Sequence, residues 1–191
     1  ERHQLGLLHL LGLTGTAQFI AAFLLVDIWT YWWHRFNHVV PFLWRFHRMH
    51  HSDPEMDVTT ATRFHVAEII FSSIIKLVLI PIVGIPIGVL ILFDVAQLPI
   101  ISFHHANIRL PRVFDRTLAW FIVTPFMHKV HHSRIKRETD SNFSSLLSVW
   151  DRLFGSFVQR ERCEEILFGL DGFDEDGKQS VKGLFATPLY K

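Results

Sequence analysis

The chain has 191 residues, enough for one domain with a sizeable core, and is 49% hydrophobic but only 19% charged, a balance tilted toward a membrane protein. Its formal net charge of +1 argues against nucleic acid as a partner, because such binders carry a strongly basic face. A single cysteine, Cys163, excludes an internal disulfide and a thiolate metal site, which leaves the 13 histidines to be explained.

In chain order, residues 5–16 are apolar but broken by Gly6, Gly12 and Gly15, too short to span and suited to an interface. Residues 17–33 carry one charge, Asp27, and gather Trp29, Tyr31, Trp32 and Trp33 at their end, the pattern of a membrane helix with an aromatic belt. After the polar, histidine-rich stretch 34–63, residues 66–103 are almost continuously apolar, interrupted by Pro81, Gly84 and Pro86. Two helices joined by a tight turn, 66–82 and 85–103, would be about 25 and 28 Å long at 1.5 Å per residue, each just crossing a hydrocarbon core of about 30 Å. A two-legged hairpin returns the chain to the side it left, which brings His65 and the His104-His105 pair back beside residues 34–51. Residues 117–127 are expected at the interface, and 143–157 as an amphipathic end to this part of the chain.

The expected fold class is all-α: an integral-membrane helical bundle with a histidine-rich helical cap. Residues 1–160 form the membrane-embedded domain, and a polar C-terminal tail, 161–191, packs on the cap or extends from it. Arg35, Arg45, Arg48, Arg63, Arg109 and Lys129 crowd the histidine side, which the positive-inside rule assigns to the cytoplasm.

Eleven histidines, all but His3 and His9, fall between positions 34 and 132. They form His34-Arg-Phe-Asn-His38, His47-Arg-Met-His50-His51 and His128-Lys-Val-His131-His132. Residues three and four apart share a helix face, so these motifs turn eight imidazoles toward one small volume. One metal ion cannot use eight imidazoles; two can. His65 and His105 raise the set to ten, with His104, about 100° around the helix from His105, as the spare. A lone HxxxH reads more readily as a pair of core histidines, but burying all three groups unpartnered would cost roughly 1–3 kcal/mol per imidazole. Asp27, seven residues before His34, and Asp94, eleven before His105, share those ligands' faces. With Glu68, Asn107 and Asp151 they are candidates to orient ligands by accepting the second imidazole N–H.

HRFNH, HRMHH and HKVHH, in that order around a hydrophobic hairpin, resemble the histidine boxes of the fatty acid hydroxylase and sterol desaturase superfamily. TRFH at 62–65 with Glu68, HANI at 105–108 and SVWDRLFGSF at 148–157 extend the likeness over residues 5–160. Two departures are Val66, where proline is usual, and the additional membrane helices that members commonly carry before the first box. The resemblance implies two iron ions, O2 and an external electron donor, an electron-transfer protein of ferredoxin or cytochrome type. It also implies hydroxylation or desaturation of an unactivated C–H bond in a lipid-like substrate. Imidazole suits several metals, but zinc has no redox chemistry, so iron fits an oxidation. Two rivals stand beside this reading. A membrane haem protein needs isolated mid-membrane histidines rather than adjacent pairs at helix ends. A metal transport or storage module needs a polar path, yet only Asp27, Lys76 and Asp94 interrupt the apolar runs.

Overall fold

The computed structural model describes residues 6–190, which are helical, with isolated bridges but no strand among the described residues. After a short α1 (Leu7–Leu10), α2 (Gly15–Val39) runs 25 residues without a break. It stops at Val40, which adopts extended backbone (φ −92°, ψ 111°) because the ring of Pro41 disfavours a helical residue before it. Pro41 itself opens α3 (Pro41–His51), the helix position where its missing N–H costs nothing. The first two histidine motifs thus ride on two helices bent against each other at Val40.

A 3₁₀ turn (Val58–Thr62) leads to α4 (Val66–Val83), which ends on Gly84 in the left-handed conformation (φ 78°), the usual glycine C-cap. Then α5 (Ile87–His105) returns. Shorter helices follow: α6 (Arg112–Leu118), α7 (Pro125–His131), α8 (Lys136–Thr139), α9 (Val149–Leu153), α10 (Asp176–Gln179) and α11 (Val181–Phe185).

Two described helices, α4 and α5, are long and apolar enough to cross a membrane. They turn apolar side chains such as Leu77 (72% exposed) and Ile91 (60% exposed) outward, a surface suited to lipid. The third span expected over residues 17–33 is a helix, but Asp27 and the clustered rings keep α2 out of that class. Packing of α2 on α5 buries Leu8, Ala22 and Val89 in one cluster and Val26, Phe93 and Leu146 in another.

Within the segment 143–157 only Val149–Leu153 is helical. The Asp151 carboxylate accepts hydrogen bonds from the Phe143 and Ser144 backbone N–H groups (2.7 and 3.0 Å) and from the Ser156 hydroxyl, folding the segment back on itself. The C-terminal residues pack on α3, where Arg48 donates to the carbonyls of Thr187 and Tyr190, each at 2.6 Å.

Candidate metal centre

Four helices deliver the imidazoles. Those of His34, His38, His47, His51 and His131 form one group and those of His50, His105, His128 and His132 a second, with ligand atoms inside each group within 4.8 Å of one another. The partition follows helical geometry. Residues four apart share a face, whereas a residue three on is displaced around the axis by about 60°. So α2 gives His34 and His38 to the first group, α3 gives it His47 and His51, and α3 sends His50 to the second. On α7 the roles reverse: His128 and His132 serve the second group and His131 the first. The groups are adjacent, with His51 stacked on His132 at 4.5 Å between ring centroids.

The second nitrogen of several rings is already engaged. Nδ1–H of His34 donates to the Phe143 carbonyl (2.8 Å), that of His131 to Ser141 (2.6 Å) and that of His105 to Ile101 (2.8 Å). His47 Nδ1 donates to Glu68 Oε1 at 2.8 Å, and His38 Nδ1 lies 3.5 Å from Asp140 Oδ1. In His34, His47, His105 and His131 this hydrogen bond fixes the tautomer and leaves Nε2 as a lone pair aimed inward. In the second group Nε2 of His105 lies 3.3 Å from that of His50 and 3.0 Å from that of His128, which is 3.1 Å from that of His132.

Electrostatics act in the same direction. Burial, reinforced by neighbouring imidazoles, holds His38, His50, His51, His128, His131 and His132 well below the usual 6.5. Burial and nearby His47 push His34 down to about 3. The rings are therefore neutral, and Nε2 of His47, His51 and His131 is buried without a hydrogen-bond partner. Unpartnered buried nitrogens are costly, and a cation shared by each group would satisfy them. The donor set fits two metal ions.

Several expected residues stand elsewhere. His65 belongs to neither group: its Nδ1 accepts from the Ala67 N–H (3.1 Å), capping α4, and its Nε2 faces the Phe185 carbonyl (3.2 Å). Both nitrogens are taken because His65 sits at a helix start under the C-terminal residues. His104, the spare, also lies outside both groups, its ring 4.0 Å from that of His128. Buried Asp27 does not reach an imidazole. Its Oδ2 accepts from Trp150 Nε1 (2.7 Å) and the Leu147 N–H (3.3 Å), because seven residues place it on the His34 face but about 10 Å deeper. Asp94 shares the face of His105 from about 16 Å away along α5, past the cap that covers the histidine, and is exposed. Asn107 is also exposed and accepts from the Lys129 ammonium at 3.0 Å.

The carbonyls of Ile101, Ser141 and Phe143 carry no sequence signal, since every residue has one. The loop that presents two of them is pinned by Asn142, at a positive φ of 51° that asparagine tolerates. Its side chain donates to the Met127 and Val158 carbonyls and accepts from the Val158 N–H. A cavity of about 240 Å³ opens onto His34, His47, His50 and His128, and descends between α2, α4 and α5.

Comparison with known proteins agrees with this architecture. Residues 19–156 match the family described as fatty acid hydroxylase. Alkylglycerol monooxygenase of Xenopus tropicalis is 34% identical over 149 residues, covering 78% of this chain and 32% of the relative. The Homo sapiens alkylglycerol monooxygenase is 33% identical over 154 residues with the same coverage. Ornithine lipid hydroxylase OlsE of Rhizobium tropici is 28% identical over 157 residues, 81% of this chain and 46% of the relative. The chain thus spans from about a third to just under half the length of these relatives. No solved structure matches it.

Proposed function

The chain belongs to the fatty acid hydroxylase family, and from that premise we propose that it oxidises an unactivated C–H bond of a lipid at a di-iron centre. His34, His38, His47, His51 and His131 hold one ion; His50, His105, His128 and His132 hold the other. The observation that carries this reading is the division of two HxxHH motifs between two adjacent groups of converging nitrogens. Bound iron supplies redox chemistry, reducing O2 with electrons from an external electron-transfer protein of ferredoxin or cytochrome type. Hydroxylation is preferred to desaturation because the relatives are named a monooxygenase and a hydroxylase.

The protein's own groups do the rest. Glu68 and the carbonyls of Ile101, Ser141 and Phe143 hold their imidazoles in one tautomer, so that ligand nitrogens need not reorganise. The cavity beneath the centre admits a lipid from the membrane-spanning half. Residues 1–160 constitute the catalytic domain, 161–191 a tail that covers α3, and the arginine-rich cap faces the cytoplasm.

Metal analysis of protein purified in neutral detergent, followed by mass spectrometry of lipids incubated with O2 and a reductant, tests the proposal. About two irons per chain and a lipid product gaining one oxygen are expected. Full activity in metal-depleted protein overturns it.

A further inference from the structure

Two cavities lie side by side between α2, α4 and α5. The cavity below the imidazoles passes Ile69, Ser72 and Gln97 before reaching Lys76. A second, about 220 Å³, is walled by apolar side chains of α2, α4 and α5, among them Leu79, Ile80 and Leu90. Trp29 and Lys76 line both.

Lys76 is the one charged residue among the described lining of the lower cavity. It is half-buried and has no hydrogen bond or ion pair among the described residues; neither Glu68 above it nor Asp94 on α5 pairs with it. Ionisable residues within spanning helices are expensive, face the bundle interior and pair with something. Lysines near a helix end escape by snorkelling. Lys76, however, lies ten residues from the start of α4 and seven from its end, about 15 and 10 Å along the axis, and lines cavities. A lysine ammonium offers three donors and no acceptor, and an anion would meet both its charge and its hydrogen-bonding need.

We infer that Lys76 binds an anionic group of the lipid substrate, a carboxylate or phosphate, at the junction of the two cavities. The inference rests on the lipid oxidation proposed above and names the class of lipid. Hydrocarbon fills the apolar cavity below Lys76, and the part of the molecule above the anion faces the imidazoles. Glu68, which holds His47, precedes Lys76 by eight residues, about 12 Å of helix rise, so anion and oxidised carbon are separated by a span of that order. The substrate is a lipid whose anionic group stands between its chain and the carbon that reacts.

Binding tests this without turnover. Dodecyl phosphate, dodecanoate and dodecanol, each brominated at the far end of the chain, are titrated against the full chain in neutral detergent, and quenching of Trp29 and its neighbours is followed. The wild-type protein is expected to bind an anion at least 10-fold more tightly than the alcohol, and the tighter of the two anions identifies the source. K76M is expected to bring that preference below 2-fold while leaving alcohol binding unchanged, which also reports an intact fold, and K76R to retain it. No anion preference in the wild type, or a preference that survives in K76M, overturns the inference. Anion binding through Lys76 in a protein that oxidises no lipid overturns the proposed function alone.

Discussion

The cap and the apolar hairpin of α4 and α5 are built on opposite rules. Along α4 the only buried residue is Glu68, while leucine, isoleucine and valine side chains point outward. In the cap, α7 buries Met127, His128, Lys129, Val130 and His131, the surrounding loops bury serines and Asn142, and α9 buries Asp151. In water the arrangement would be inside out, since burial of apolar area drives folding there. Lipid is as apolar as leucine and would give helices set in a membrane no such drive. In the cap every buried polar group needs a partner, and the histidines find theirs in carbonyls, carboxylates and, on our reading, metal ions. The contrast teaches that the histidine cluster is a polar core set beside the apolar clusters of α2 and α5.

The strongest test removes a ligand. His50→Ala and His131→Ala each take a nitrogen from a different group, and each is expected to lose bound metal and to cut turnover by more than the roughly 100-fold that loss of an outer partner brings. Metal analysis paired with product formation reads both; a variant that keeps two ions and full turnover removes that histidine from the centre. Next, Glu68→Ala frees His47 Nδ1 and should weaken metal retention about 10- to 100-fold against a chelator, with Glu68→Gln recovering part of the loss. Equal retention in all three proteins would make the Glu68–His47 contact incidental.

Acidity separates the two halves more gently. His131 is neutral when folded, its proton affinity pushed below the ordinary 6.5 by burial first and by nearby His34 second. The unfolded chain then binds more protons below pH 6.5, so the stability contributed by His131 is complete above that pH and lost as pH falls through it. For each such histidine the slope approaches about 1.4 kcal/mol per pH unit. The melting temperature of metal-free protein should drop between pH 7.5 and 5.5; a flat profile would show that these imidazoles are not buried neutral. The smallest effect is assigned to His65→Ala. Loss of its cap on α4 should cost about 1 kcal/mol of stability with metal content unchanged, and loss of an ion would return His65 to the ligand set.

Much of the site is legible in the residues because the motifs are local. Three- and four-residue spacings mean a shared helix face wherever the helix lies, and the Pro81–Gly84–Pro86 interruption marks a turn that brings His105 back. Face arithmetic fails for Asp27 and Asp94, which share the faces of His34 and His105 but lie two and three turns away in depth. It fails also for His65, where the hairpin brings the backbone close but helix capping and Phe185 claim the ring.

By itself the sequence determined the kind of ligand, the helices that carry it and the side of the hairpin on which it gathers, because all three follow from residue type and helical period. Only the tertiary structure decided which imidazoles share a group and which carbonyl holds each second nitrogen. It also decided that Lys76 lines two cavities. Those outcomes depend on contacts between residues as far apart as His34 and Phe143, and such contacts exist only once the helices have packed.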